Sequence, residues 1–472
     1  MKRLSGWDAV MLYSETPHVH MHTLKMAVID LADLGDRAFG VNEFREMVKR
    51  DMSKLDPFRF ELIDIPFKFH HPMWRENCDV DLDYHIRPYR VAAPGGRREL
   101  DEAVGKIAST QLDRSRPLWE LYLIEGLANG RIAVLGKIHH ALADGVASAN
   151  LMARGMDVAP GLQTYDDGHV TDPAPTKSAL VRSALRDHVR QIAELPGVWR
   201  YAAQGLGRVR RSSRKLSPEL SRPFIPPPTF INHKVDPVRK FATATLALAD
   251  VKETGKLLGV TINDMVLGIS AGALRELLLR YDGHAEHPLV ASVPVSFDFS
   301  TERVTGNSFT AVLVALPSDV ADPLQWVQAA QEAAASAKEG NRLIGPELIS
   351  RLASYLPPVA AEALFRWLAN KDGQNKVMNL PISNVPGPRE YGRLRGALIT
   401  QIYSVGPLTT GSGLNITVWS YVDQLNISVL SDGATMHDPQ DLIGAMADAF
   451  RDIRRAAGLS GDLTAIEVAM PN

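Results

Sequence analysis

Twice along this chain an apolar segment, a short turn and a second apolar segment lead into an acid–glycine pair. In the first half residues 118–124 and 132–138 are apolar and flank Asn129-Gly130, and the run ends in His140-Ala141-Leu142-Ala143-Asp144-Gly145. In the second half residues 414–421 and 425–430 flank a turn about Asp423, and Ser428 stands four residues before Asp432-Gly433. Short turns of this kind between apolar runs close antiparallel hairpins. The echo keeps the spacing but puts serine where the first half has histidine. It predicts two related domains with a single surviving catalytic centre. Length agrees: 472 residues, 45% of them hydrophobic, exceed the about 100–200 residues of an ordinary domain.

Helical spacing covers residues 44–55, 99–112, 146–156, 261–281, 323–338 and 438–457, while 82–89, 240–248, 288–295 and 309–316 read as strands. Residues 164–175 and 379–388 are rich in turn formers and read as loops. Between 177 and 222 the composition turns strongly basic, and Pro226-Pro227-Pro228 closes the stretch. The expected organisation is an N-terminal domain at 1–175, a basic helical linker at 176–228 and a C-terminal domain at 229–472. A formal net charge of -2 gives no global field for nucleic acid. Cys78 is the only cysteine, so no internal disulfide forms, which suits a reducing compartment. No apolar run reaches the roughly 18 residues of a membrane helix. Asp8 interrupts any export-type apolar start. The expected location is the cytoplasm, with peripheral attachment to a membrane or lipid inclusion as a second option.

His139, His140, Asp144 and Gly145 fall where a strand ends, a common position for catalytic side chains. Histidine accepts a proton at neutral pH. The acid fixes the loop, and glycine permits a turn that other residues resist. Neighbouring residues on a strand face opposite ways, so His139 and His140 do not share a metal ion. His18, His20 and His22 share a face if extended but have no further ligands beside them. No metal is expected. Gly268-Ile269-Ser270-Ala271-Gly272 matches a nucleophile elbow, yet it sits inside a helical stretch, and an elbow needs a sharp strand-to-helix turn. There is no phosphate loop and no dinucleotide fingerprint, so no cofactor is expected. Without a nucleophilic side chain, the simplest chemistry is direct transfer. His140 deprotonates a bound hydroxyl or amine, which attacks an activated acyl carbonyl; such base catalysis contributes about 10²–10⁴-fold.

The stretch His139-His140-x-x-x-Asp144-Gly145 resembles the signature of bacterial wax ester synthase/diacylglycerol acyltransferases, within the superfamily of chloramphenicol acetyltransferase, plant acyltransferases and peptide-synthetase condensation domains. Further stretches are similar in the same order: Leu4-Ser5 with Asp8, Pro117-Leu118-Trp119, Asn263-Asp264, Val293 to Ser296 followed by Gly306-Asn307, and Ser383-Asn384-Val385-Pro386-Gly387-Pro388. His20-Met21-His22 departs from the Pro-Met-His pattern usual at that place. The resemblance implies an α/β fold of two chloramphenicol-acetyltransferase-like domains, each a mixed sheet with helices, with a substrate tunnel at their interface. It implies His140 as base, Asp144 holding the loop through an arginine not identifiable from the sequence, and His139 ordering the loop or lining the tunnel. Gly145, Asn263, Asp264, Ser383 and Asn384 would line or support the tunnel, and Pro117 and Trp119 would pack near it. The substrates implied are acyl-CoA with diacylglycerol or a long-chain alcohol. A carrier-protein thioester as donor, or a non-catalytic lipid-binding protein, are the alternatives. In the basic segment, arginines beside Trp199, Tyr201 and Leu206 suit an anionic lipid surface.

Overall fold

A computed structural model describes residues 1–35, 39–156, 170–212, 225–345, 347–371 and 375–466. The strands that build the two large sheets are β1 (His22–Asp30), β2 (Ile86–Arg90), β3 (Trp119–Glu125), β4 (Arg131–His139), β5 (Arg239–Ala247), β6 (Leu289–Ser296), β7 (Phe309–Leu316), β8 (Leu380–Pro386), β9 (Arg393–Leu394), β10 (Ala397–Val405), β11 (Leu414–Tyr421) and β12 (Gln424–Asp432). The helices used below are α1 (Gly6–Tyr13), α2 (Arg97–Ala108), α3 (Gly145–Gly155), α4 (Lys177–Ser212), α5 (Ile262–Tyr281), α6 (Pro323–Ile344), α7 (Leu348–Ala353), α8 (Pro358–Asn370) and α9 (Gln440–Ala456).

The first sheet runs β9-β10-β1-β4-β3-β2 and the second β7-β6-β8-β11-β12-β5. Four strands of each follow one plan. β2 is parallel to β3, which is antiparallel to β4, which is antiparallel to β1. β8 is parallel to β11, which is antiparallel to β12, which is antiparallel to β5. α3 follows the first hairpin and α9 the second. Both sheets are therefore mixed and carry helices, and the internal echo has a structural basis. Its registers differ, however. His140 lies one residue beyond β4, whereas Ser428 lies inside β12, opposite Thr243.

The halves are interlocked. β9 and β10 come from the second half of the chain, yet β10 pairs with β1 from Leu398↔Asp30 to Val405↔Leu24 and completes the first sheet. In return α2 packs on the second sheet. Its Asp101 carboxylate accepts hydrogen bonds from the Thr243 amide (2.9 Å) and hydroxyl (2.8 Å). Each sheet keeps its own apolar core. Leu24, Leu100, Val104, Leu123 and Leu135 lie in one, and Leu274, Ile416, Val418, Ile427 and Phe450 in the other.

Several expected boundaries shift. Residues 82–89 are not one strand. Asp81 caps a helical turn, Leu82–His85, by accepting the Tyr84 amide, and β2 begins only at Ile86. The expected loop at 379–388 contains β8. Its prolines are tolerated because β8 leaves β6 after the Leu380 and Pro381 pairs and runs on bonded to β11 alone. The G-x-S-x-G stretch lies within α5, with the Ser270 hydroxyl donating to the Val266 carbonyl (2.8 Å). A Cβ on Gly268 would come 2.7 Å from Val327 and one on Gly272 2.5 Å from Trp326. These glycines let α5 and α6 approach closely. Residues 164–169, Arg214, Lys215, Arg222 and Pro223 lie outside the described residues.

Candidate active site

β4 ends at His139 because the chain must leave the sheet to start α3, and the loop between them carries the histidine pair. Its entry is pinned on both sides: the His139 amide donates to the Leu118 carbonyl (3.0 Å) and the His140 amide to the Met21 carbonyl (2.7 Å). Its exit is capped by Asp144, whose carboxylate accepts the Ala147 amide at 2.9 Å.

The second half clamps this loop. Residues 297–308 link β6 to β7 and lie across it. Arg303 grips Asp144 with two nitrogens, each 3.0 Å from a carboxylate oxygen, and the Ser308 amide donates to the same carboxylate (2.9 Å). The Gly306 amide donates to the Leu142 carbonyl (2.7 Å), and the Asp144 amide to that of Gly306 (3.2 Å). Gly306 has φ +79°, a conformation that favours glycine. Asp144 thus holds the loop, and Arg303 is the arginine it uses.

Asn307 orients the catalytic candidate. Its side-chain amide nitrogen donates to the His140 carbonyl (2.8 Å) and to a carboxylate oxygen of Asp8 (2.8 Å) on α1. That fixes the amide, so its oxygen faces Nδ1 of His140 at 2.9 Å. An oxygen there accepts, so Nδ1 carries the hydrogen and Nε2 carries the lone pair. The Phe309 ring lies beside the imidazole, with centroids 5.8 Å apart, and Trp7 stands edge-on behind Phe309 at 5.7 Å. Burial holds the His140 imidazole below its ordinary pKa against the pull of Asp144, and the Lys25 ammonium pushes the same way as burial. The ring is neutral at pH 7, with one nitrogen ready to take a proton.

His139 plays a different part. It is fully buried on the opposite side of the strand end. Its Nδ1 accepts the Ala141 amide at 3.1 Å, and Nε2 points to Glu15, 3.6 Å away. Burial would raise the Glu15 carboxyl, but His139 and Arg114 hold it well below the usual range. The His139 and Glu15 side chains thus lie buried together under the loop. Lys25 on β1 is buried, hydrogen-bonded through its ammonium to the Ser404 hydroxyl and seated 5.3 Å from the Trp419 ring centroid. Burial brings its pKa down to about 8.

The other expected site residues divide. Trp119 is buried beside the loop, stacked on Phe58 at 4.2 Å, and Pro117-Leu118 leads the Leu118 carbonyl to His139. Gly145 has ordinary helical backbone, contrary to the turn expected of it. Its value is space, since a Cβ there would lie 3.4 Å from the Val385 side chain. Ser383 and Asn384 are half-buried on β8 and pair with Thr417 and Val418. Asp264 makes its hydrogen bonds with Thr261 in the capping box that starts α5, and Asn263 follows Ile262 in that first turn. His20 and His22 both direct ring nitrogens to the Ala108 carbonyl, which ends α2. Among the described residues no three His, Cys, Asp or Glu side chains converge as metal ligands. Arg303, Glu15 and Lys25 were not singled out from sequence.

Known proteins agree with this architecture. The profile of the wax ester synthase/diacylglycerol acyltransferase catalytic domain matches residues 4–266, and that of the family's C-terminal domain matches residues 305–454. A putative diacylglycerol O-acyltransferase of Mycobacterium tuberculosis strain H37Rv is 67% identical over 470 residues, covering 100% of this chain and 99% of its own. A second such protein of the same strain is 33% identical, covering 97% of this chain and 98% of its own. The wax ester synthase/diacylglycerol acyltransferase from Marinobacter aquaeolei VT8 superposes with a TM-score of 0.70 at 25% identity, covering 97% of this chain and 100% of its own. The first condensation domain of the calcium-dependent antibiotic synthetase shares the fold with a TM-score of 0.55 at 15% identity, over 100% of this chain and 99% of its own.

Proposed function

The chain belongs to the wax ester synthase/diacylglycerol acyltransferase family, and from that membership we propose how it catalyses acyl transfer to form triacylglycerol or wax ester. The acyl donor is acyl-CoA, the acceptor is the free hydroxyl of a diacylglycerol or a long-chain alcohol, and His140 is the general base. Nε2 of His140 takes the proton as the hydroxyl oxygen attacks the thioester carbonyl carbon. The tetrahedral intermediate then collapses, the carbon–sulfur bond breaks, and the departing thiolate takes that proton back from Nε2. An ester and free CoA thiol leave, and the imidazole returns to its starting state. Nothing is oxidised, and no residue is acylated.

The observation that carries this reading is the tautomer. Asn307 and Asp8 hold Nδ1–H, and no described residue takes up the Nε2 lone pair. Asp144 is spent on Arg303, Ser308 and the helix cap, so it holds the loop and exchanges no proton. The test is His140→Ala. It should lower turnover of palmitoyl-CoA with diacylglycerol or hexadecanol by about 10²–10⁴-fold, the usual contribution of a general base, with the fold intact by circular dichroism. Turnover above a tenth of the starting enzyme's would falsify the assignment. Substituting an acyl-carrier protein for CoA in the same assay identifies the donor.

A further inference from the structure

α4, 36 residues long, presents two different faces. The inner one is fastened to both halves of the molecule. Asp187 pairs with Arg3 at 2.9 Å, Gln191 donates to the Ser354 carbonyl (2.9 Å), and Arg208 donates to that of Leu343 (2.9 Å). Gly205 lies so close that a Cβ would come 2.3 Å from the Ile344 carbonyl oxygen.

Among the described residues nothing covers the outer face. Leu185, Val189, Ile192, Trp199 and Leu206 are 50, 69, 67, 73 and 71% exposed. They recur four and three residues apart, with exposed Pro196 and Ala203 filling the two remaining positions of the series. At about 1.5 Å per residue the stripe is roughly 30 Å long. Apolar residues scattered singly over a surface are ordinary, whereas a continuous band this long marks an interaction site.

Charge says what it meets. At about 100° per residue, Arg182, Arg186 and Arg200 flank one edge of the stripe, while Asp187 and Glu194 fall on the far side. Those three arginines are exposed and form no ion pair with another described residue. A second, separate feature adjoins the stripe. Phe69 meets His188 edge-on at 5.0 Å, and Phe67 is 95% exposed while held at φ +59°. A left-handed backbone at a bulky residue costs about 1 kcal/mol or more, a strain typical of functional positions. Here it turns an aromatic ring into solvent beside an apolar band.

We propose that the outer face of α4, with Phe67 and Phe69 beside it, seats this protein on an anionic phospholipid surface. The apolar stripe enters the interface, and Arg182, Arg186 and Arg200 lie among the phosphates. The residues differ from those that sequence alone suggests, because Tyr201 turns inward under Arg351 and Arg208 is tied to Leu343. The surface also lies close to the site. Ser354, which accepts from Gln191 of α4, touches Gly6 of α1, and Asp8 two residues on holds Asn307. The proposal adds to the acyl-transfer reading and does not depend on it.

The test is co-sedimentation of the full-length protein with vesicles of phosphatidylcholine containing about one third phosphatidylglycerol, against phosphatidylcholine alone, at low and high salt. The anionic vesicles should capture the protein, and salt should release it. Val189→Glu with Ile192→Glu should lower the partition coefficient at least tenfold. Neutralising Arg182, Arg186 and Arg200 to Gln should lower it by about fivefold per residue. Turnover of a short-chain, water-soluble donor and acceptor should not change in either variant, which separates a failed surface from a failed catalyst. Equal capture of the glutamate variant, or no capture of the unmodified protein, overturns the proposal. A dimer that becomes monomeric in the glutamate variant without any vesicle binding would assign the stripe to a second copy of this chain and also overturn it.

Discussion

Lys25 carries a positive charge into the interior with a hydroxyl and an indole face for company, and no carboxylate among the described residues forms an ion pair with it. Its pKa near 8 leaves it cationic at pH 7. A cation beside His140 opposes protonation of the imidazole. Lys25→Met removes that opposition, so the His140 pKa rises. Since only the neutral ring acts as base, the acid limb of the kcat/KM profile should move to higher pH. Rates measured between about pH 5 and 8 decide the matter, and an unmoved limb would show that Lys25 does not act on the base. The variant should be no less stable, because replacing an uncompensated buried charge with an apolar side chain of similar size is often neutral or favourable. Neither Lys25 nor Asn307 announces its role in sequence. Asn307 and Asp8 lie 167 and 132 residues from His140, and proximity of that kind arises only on folding. His139, His140, Asp144 and Gly145 were legible because one turn of chain holds them all.

Among elements, the β6–β7 connection matters most, since it grips the histidine loop through Arg303 and Asp144. Both side chains are largely buried. Removing one partner of such a pair strands the other charge, at about 3–5 kcal/mol. Arg303→Ala should therefore lower Tm and also lower kcat, as the loop carrying His140 loses its brace. A thermal melt together with steady-state kinetics checks both. Arg303→Lys should recover only part, because a single ammonium cannot match the paired contact. Sequence gave the helices from Ile262 and Gln440 and the two hairpins well, since long periodic segments declare themselves. It misjudged β8, where two prolines looked like loop, because tolerance of proline depends on which neighbouring strand is absent. It read Gly268-x-Ser270-x-Gly272 rightly: position inside a helix argued against an elbow, and the packing of α5 on α6 supplies the reason for the glycines.

For the whole molecule, protonation links the interior to pH. Burial holds His20, His22, His71, His85 and His140 below the ordinary imidazole value, and His70 at about 4. The unfolded chain binds protons at these rings near pH 6.5 while the folded one does not. Their contribution to stability is thus complete above about pH 6.5 and is lost as pH falls through the folded values. Asp8 and Asp101, raised by burial (Asp101 to about 7), and His233, raised by its hydrogen bond to Asp432, oppose this but are outnumbered. Tm should fall steadily from pH 7 to pH 5, and a scanning calorimetry series measures it; a rise over that interval would contradict the assignment. The exchange of β9 and β10 has a consequence for anyone dividing the gene. Fragments separated ahead of β5 would leave β1 as a naked edge in one piece and β10 as an unpaired ribbon in the other. Neither should accumulate as a soluble polypeptide when expressed by itself, whereas co-expression should restore both by complementation.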